Sequence, residues 1–186
     1  KGMGFLMERE LKYLSNLDLK LSNKMVLLLG GSKVSSKLSI IEYFLDKSNY
    51  ILIGGAMSFT FLKALGYNVG QSLVENDMID VAKYILAKSS KNKAEIILPI
   101  DFICSNKNDD NCIFKALNDI EKNDIGFDIG EGTIKIFKDI IFKTDIVIWN
   151  GPLGLFEQKS YSLGTNKVAK TISYLTAKKR ITSIIC

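Results

Sequence analysis

Histidine is absent from all 186 residues. That excludes a Ser-His-Asp triad, a Cys-His pair, a histidine general base and any histidine-held metal. Cysteine is scarce, and Cys104, Cys112 and Cys186 show no CxxC spacing. An odd, unpatterned set argues against a disulfide framework or a zinc knuckle and fits a reducing, cytoplasmic setting. Arginine occurs only at Arg9 and Arg180, and proline only at Pro99 and Pro152. The longest stretch without a charge, residues 48–62, is too short and too interrupted by glycine to span a bilayer. No signal-peptide pattern leads the chain. Neither GxxxxGK[ST] nor GxGxxG occurs, so a P-loop and the dinucleotide fingerprint are both missing.

What is present reads as one soluble globular domain, with 47% hydrophobic and 24% charged residues. A chain of this length buries a sizeable core without metals or disulfides. The net charge is +5 and comes from lysines that are dispersed, apart from Lys178-Lys179-Arg180. Dispersed lysines without interleaved aromatics describe a solvated surface and not a nucleic-acid face. The same excess suits a small substrate that carries phosphate. The chain opens on Lys1-Gly2-Met3-Gly4-Phe5 and closes on the apolar, β-branched Ile181-Thr182-Ser183-Ile184-Ile185-Cys186. Both ends read as cut, so a segment of a longer protein is expected.

Apolar runs at Met25–Leu29, Tyr50–Ile53, Glu95–Ile103, Ile125–Ile129, Asp145–Trp149 and Ile181–Ile185 read as strands. Several are continuous and not alternating, which marks strands covered on both faces of a parallel sheet. Helical spacing of apolar residues predicts helices over 36–46, 56–65, 77–88, 132–142 and 165–177, with a further leading helix over about 5–14. Asp77 is a candidate cap for its helix, and Lys88 and Lys178 suit C-terminal ends. Residues 104–124 show no clean period and are expected to be a polar surface insertion with room for a short hairpin. The expected architecture is α/β: a doubly wound, mainly parallel six-stranded sheet with helices on both faces, Rossmann-like and three-layered.

Ligands of such sheets bind at the carboxyl ends of the strands. Four glycine-bearing turns fall there. In Gly30-Gly31-Ser32-Lys33-Val34-Ser35-Ser36-Lys37 the glycines permit close backbone approach, and Lys33 and Lys37 would share one face of a helix. That combination attracts polyphosphate, although a plain strand-turn-helix with two surface lysines has the same spacing. Gly54-Gly55 leaves room for a flat ring or for close helix packing. Gly126 and Phe127 open a short strand, where the phenylalanine suits the core better than a base. Gly130-Glu131-Gly132-Thr133 is the third turn. In Asn150-Gly151-Pro152-Leu153-Gly154-Leu155-Phe156-Glu157, Pro152 fixes the turn, Asn150 offers an amide and Glu157 could accept sugar hydroxyls. Trp149, just before, suits the core.

These segments together resemble the phosphoglycerate kinase family, in a bacterial flavour. The match is carried by Gly4-Phe5-Leu6-Met7-Glu8-Arg9-Glu10 and by Leu29 through Lys37. It continues in Ile53 through Leu62 with Gly66, Gly70 and Ser72-Leu73-Val74-Glu75, and in Trp149 through Glu157 with Gly164-Thr165. It runs nearly end to end and is loose only in the polar insertion. The resemblance implies a glycolytic transferase that moves a phosphoryl group between 1,3-bisphosphoglycerate and MgADP, giving 3-phosphoglycerate and ATP. It implies Lys33 and Lys37 at the migrating group, with Gly31 and Ser32 lining the phosphate loop. Gly54, Gly55, Gly126, Phe127 and Leu155 would frame adenine. Asn150, Pro152 and Gly154 would lie along the nucleotide, with Glu157 at the ribose. It further implies an interdomain helix in residues 1–16 and a nucleotide-binding domain over 17–186. The acid-substrate domain would lie upstream, and the magnesium carboxylate beyond Cys186, leaving no metal ligand here. A monomer that contacts neither nucleic acid nor membrane, inactive on its own, is expected. Ala56 departs from the pattern, standing where the family usually has a third glycine. A non-catalytic nucleotide-binding module and an NAD-dependent dehydrogenase domain are the alternatives.

Overall fold

The computed structural model describes residues 24–106 and 109–186. The leading helix over about 5–14 and the interdomain region 1–16 lie outside the described residues. The chain runs β1 (Met25–Leu29), α1 (Leu38–Phe44), β2 (Tyr50–Ile53), α2 (Met57–Ala64), α3 (Ile79–Ser89) and β3 (Glu95–Ile97). It continues through β4 (Asp101–Asn106), β5 (Asp109–Ala116), β6 (Asp124–Ile129), α4 (Glu131–Ile141), β7 (Ile146–Asn150), α5 (Leu163–Ala177) and β8 (Thr182–Ile185). The main sheet has the order β3-β2-β1-β7-β8 and every pairing in it is parallel.

The uninterrupted apolar strands explain the layering. Side chains alternate across a strand, so β1 feeds two cores at once. Leu27 and Leu29 join Ile51, Ile53, Ile41, Phe44, Phe61 and Ile85, the core beneath α1, α2 and α3. Val26 and Leu28 join Leu52, Ile134, Phe137, Ile141, Val168 and Ile172, the core beneath α4 and α5. An α/β sheet with helices on both faces is therefore present, as the runs predicted.

The sheet count differs from the expectation. The run Glu95–Ile103 is two strands, because the chain bends over residues 98–100 around Pro99. Pro99 has no N–H to give a ladder. Beyond it the N–H of Ile100 donates to Thr133 Oγ1 (3.0 Å) and not to a strand. β4 then pairs antiparallel with both β5 and β6, in a separate three-stranded sheet of order β5-β4-β6. The fourth expected strand, β6, thus leaves the parallel sheet, which has five strands and not six. The polar insertion holds the β4–β5 hairpin. A third core of Phe59, Leu62, Val69, Phe102, Cys104 and Ile120 fastens this small sheet to α2. In it the Phe59 and Phe102 rings sit 4.5 Å apart. Burial pushes the Cys104 thiol up to about 12, so it packs as an inert apolar group.

Helix ends are also partly corrected. Asp77 makes no cap bond; it lies within a 3₁₀ turn, Asn76–Met78, that feeds α3. The Met78 N–H is satisfied by the Glu75 carbonyl at 3.0 Å instead. Lys88 falls in the last turn of α3, and Lys178 is the C-terminal cap residue of α5.

Phe137 is fully buried between α4 and the sheet. Phe137→Ala deletes its contacts and leaves a cavity, so stability should fall by about 3–5 kcal/mol. The shift of the urea unfolding midpoint measures this, with the slope of the transition unchanged.

Candidate functional site

The turns after β1, β2 and β7 meet in one place and bond to one another through their backbones. The N–H of Gly30 donates to the Asn150 carbonyl (3.0 Å), and that of Gly31 to the Pro152 carbonyl (2.8 Å). The N–H of Gly55 donates to the Leu153 carbonyl (2.9 Å), and that of Met57 to the Gly31 carbonyl (3.0 Å). This lacing needs glycine at Gly30, where an added Cβ would lie 1.9 Å from the Pro152 oxygen. Gly55 combines a φ of +61° with a Cβ position 2.6 Å from Gly31 backbone atoms, so no other residue fits it without strain.

Beside the laced turns lies a cleft of about 350 Å³, within the usual range of small-molecule sites. Its walls are Gly31, Ser32, Gly55, Gly126, Phe127 and Pro152, then Gly154, Leu155 and Glu157. All of these were singled out in the sequence. Ala56, Leu73 and Ile125 complete the wall. The last two were not assigned a role, because a lone exposed Leu73 and a strand Ile125 carry no chemical signature. Phe127 is half-buried and stacks on Tyr161 with ring centroids 4.6 Å apart, so it serves the cleft wall more than the core. Trp149 is core, and its indole N–H donates to the Gly151 carbonyl at 2.6 Å.

Four candidates do not line the cleft. Gly54 faces Leu153, with an added Cβ 2.7 Å from Leu153 Cδ2. It serves close packing, whereas its neighbour Gly55 serves the cleft. Lys37 and Asn150 form a pair, the Lys37 ammonium donating to Asn150 Oδ1 at the end of β7. Lys33 is exposed in the turn. The two lysines do not share a helix face, because α1 begins only at Leu38. The preceding residues are held in tight turns: Ser36 Oγ donates to the Lys33 carbonyl (2.9 Å), and the Lys37 N–H to the Val34 carbonyl (2.9 Å).

Carboxylates distant in sequence brace the site. Both Ser35 donors, its N–H at 3.1 Å and its hydroxyl, go to the Glu75 carboxylate, which ties the lysine-bearing turn to the segment before α3. Burial pushes the Glu75 carboxyl up, but the Ser35 and Val34 hydrogen bonds and nearby Lys33 outweigh it, so its pKa is lowered. Asp101 accepts the N–H groups of Gly132 (2.7 Å) and Thr133 (2.8 Å) at the start of α4. Asp128, buried beneath Gly154, accepts the Gly164 N–H (2.7 Å) at the start of α5 and the Ile129 N–H (2.9 Å). Apart from the Ile129 bond, these contacts span dozens of residues, so no local pattern announces them. Among the described residues no group of three or more Cys, Asp or Glu side chains is placed to hold a metal ion. No helix among them is long and apolar enough to cross a membrane.

The architecture defines an α/β protein with its cleft at the carboxyl ends of parallel strands. The family model described as phosphoglycerate kinase matches residues 1–186. The chain belongs to the phosphoglycerate kinase family. It is 44% identical over 184 residues to a phosphoglycerate kinase of Thermosipho africanus, covering 97% of this chain and 46% of that protein. It is 44% identical over 177 residues to that of Fusobacterium nucleatum, covering 94% and 44%. The fold matches a solved phosphoglycerate kinase from Coxiella burnetii with a TM-score of 0.85 at 32% identity. That match covers 97% of this chain and 46% of the other. The corresponding enzyme of Pyrococcus horikoshii gives 0.77 at 27%, covering 98% and 51%. The chain thus spans about half the length of the relatives it matches.

Burial raises the Asp128 carboxyl from its ordinary 3.8 to about 6, despite backbone hydrogen bonds from Gly164, Ile129 and Leu163. Between these values the folded protein keeps a proton that the unfolded chain has lost. Stability is therefore fully present below about pH 4 as far as this group is concerned, and falls as pH rises through about 6. The total is roughly 3 kcal/mol, at 1.36 kcal/mol per unit. Glu75 acts oppositely: its contribution is present above the ordinary carboxylate range and lost as pH falls below it. Asp128→Asn should flatten the decline between pH 4 and 6 in urea titrations, whatever it does to absolute stability.

Proposed function

We propose that residues 17–186 form the nucleotide-binding half of a phosphoglycerate kinase. The enzyme would move a phosphoryl group between 1,3-bisphosphoglycerate and MgADP to give 3-phosphoglycerate and ATP. The observation that carries this reading is the cleft itself. It gathers Gly31, Ser32, Gly55, Gly126, Phe127, Pro152, Gly154, Leu155 and Glu157, which the family resemblance assigns to a nucleotide.

The chemistry of the wall suits each part of that ligand. Gly55 and Gly126 present bare backbone, and Phe127 and Leu155 present apolar surface, on which a flat base rests without unpaired polar groups. Glu157, exposed at the rim, accepts hydrogen bonds from ribose hydroxyls. Gly31, Ser32, Pro152 and Gly154 run along the phosphate side. Lys33 and Lys37 stand beyond, where a migrating phosphoryl group gathers negative charge. The Lys37–Asn150 pair holds an ammonium ready at the strand tip. Asn150 is neutral, so the positive charge stays available to phosphate.

Phosphoryl transfer is positioning plus charge stabilisation, with little covalent chemistry for the protein to perform. In the ATP-consuming direction the nucleophile is the substrate carboxylate, already deprotonated at neutral pH. No general base is required, and a chain without histidine meets the demand. Magnesium arrives with the nucleotide as part of the substrate. The acid substrate would be held by the part of the protein outside this chain, in a cytoplasmic monomer.

In the full-length enzyme Lys37→Ala should lower kcat by about 100-fold or more, the scale seen when one charge-stabilising donor is removed. Its effect on ADP affinity should be far smaller. Glu157→Ala should instead weaken ADP binding by roughly tenfold with kcat little changed, the loss of a hydrogen bond to a charged group. Calorimetric titration with MgADP and steady-state kinetics separate the two. The 186-residue chain alone should bind MgADP without making ATP from 1,3-bisphosphoglycerate. Stronger thermal stabilisation by NAD than by ADP would overturn the assignment in favour of a dehydrogenase domain.

A further inference from the structure

The outer faces of α4 and α5 leave a second concavity of about 510 Å³ that the proposed reaction does not use. On α4, Glu131, Lys135, Lys138 and Phe142 recur at steps of three and four and line it as one stripe. On α5, Lys167, Lys170 and Tyr174 do the same. The Glu131–Lys167 ion pair closes one end, and Phe142 and Tyr174 line the other.

Two features set this groove apart from ordinary surface. Phe142 is 41% exposed and Tyr174 57%, so two aromatic faces remain in water within one concavity. Lysines also outnumber carboxylates in its lining. Lys167 is matched by Glu131. Lys135, Lys138 and Lys170 make no ion pair with a carboxylate among the described residues, and Asp139 is the remaining acid of the lining. Surface lysines are usually spaced among acids, which removes the cost of like charges in proximity. Here that compensation is incomplete, with four lysines against two carboxylates beside exposed aromatic rings.

We propose that the groove between α4 and α5 docks an acidic amphipathic segment of another protein. Its carboxylates would meet Lys135, Lys138 and Lys170, and an apolar side chain would cover Phe142 and Tyr174. Charge complementarity selects the partner's sign and accelerates its encounter, while burial of the rings supplies the affinity. The groove follows α4 for its 11 residues, about 16 Å at 1.5 Å per residue, the length of a short helix or strand. A nucleic acid fits less well. Its continuous phosphate backbone would run against Glu131 and Asp139, and the lining offers no arginine to grip it. The proposal does not depend on the nucleotide reading.

The test uses the full-length protein and a fluorescent helical peptide with glutamates on one face and leucines on the other. Anisotropy should show binding that weakens as salt rises. Lys138→Glu combined with Lys170→Glu should raise Kd by about tenfold or more, and Phe142→Ser combined with Tyr174→Ser should do the same. The far-ultraviolet circular dichroism spectrum and the urea midpoint should stay close to those of the parent protein in both, which shows that the variants remain folded. If either pair fails to fold, Lys138→Gln with Lys170→Gln keeps the test open with the same readout. Three results would overturn the proposal. One is equal binding of a peptide with its leucines replaced by serine. Another is tighter binding of single-stranded DNA than of the peptide. The last is no binding to the full-length protein, as when another part of it covers the groove.

Discussion

The contact of the Gly30-Gly31 turn with the Pro152 carbonyl governs this structure. Neighbouring parallel strands stand about 4.8 Å apart, yet the turns leaving them must converge if they are to share one ligand. β1 and β7 are neighbours, with Leu29 in register with Asn150. Their chains continue together past the sheet through the Gly31 to Pro152 hydrogen bond at 2.8 Å. With β2 on the other side of β1, the Gly55 turn is drawn into the same knot. The strand order therefore decides which turns can meet, and glycine decides how closely. A methyl group at Gly30 would separate the first turn from the last and open the cleft at its floor.

That backbone knot is held from outside by side chains that arrive from far along the chain. Glu75 reaches the Ser35 donors, Thr165 Oγ1 accepts the Leu153 N–H at 3.0 Å, and Ser72 Oγ accepts the Gly126 N–H at 2.9 Å. Each satisfies a backbone group that its own turn or strand leaves open. Each also fixes one wall of the cleft relative to another. The Leu155 N–H to Phe127 carbonyl bond at 2.9 Å completes the frame, joining the turn after β7 to β6 of the small sheet. The cleft is thus built between two sheets, and its shape depends on the bend at Pro99 that separates them.

The sequence made the parallel sheet legible because its strands are short, apolar on both faces and bounded by glycine. The wall residues Gly31, Ser32, Gly55, Pro152, Gly154, Leu155 and Glu157 were legible for the same reason, since they follow those strands. Gly126 and Phe127 lie within β6 and came only with the family resemblance, and Leu73 and Ile125 carried no signal. The bend at Pro99 was not legible either. The run Glu95–Ile103 is apolar apart from Glu95 and Asp101, and local pattern does not distinguish one long strand from two that serve different sheets. The pairing of β6 with β4 is a tertiary contact, as is the Phe59–Phe102 core that holds β4 to α2, and no window of sequence contains either. Lys33 and Lys37 had the spacing of a helix face, but serine hydroxyls and the Glu75 tether hold the chain in turns until Leu38. Competition from side-chain hydrogen bonds of this type delays helices in general.

Two buried aspartates at either end of β6 show how the same residue type can serve opposite electrostatic ends. Asp124 is fully buried, yet Lys115 lies 2.9 Å from its Oδ2 and the Glu121 N–H donates to it. Burial pushes its pKa up, but the ammonium and these bonds win, and it is held below its ordinary value. Its Oδ1 has no hydrogen-bond donor among the described residues, so Lys115 and the Glu121 N–H, both at Oδ2, carry the compensation. Asp128, four residues on, has backbone donors and no cation, and burial prevails. Partial charges on N–H groups and a helix N-terminus offset desolvation less than a full ammonium does. The strand is therefore anchored by an ion pair at the small sheet's outer end and by backbone donors beneath the cleft. The second arrangement needs no lysine, and none lines the cleft. Phe127 and Leu155 give the cleft an apolar side beside Gly126, and Lys33 and Lys37 lie outside its lining.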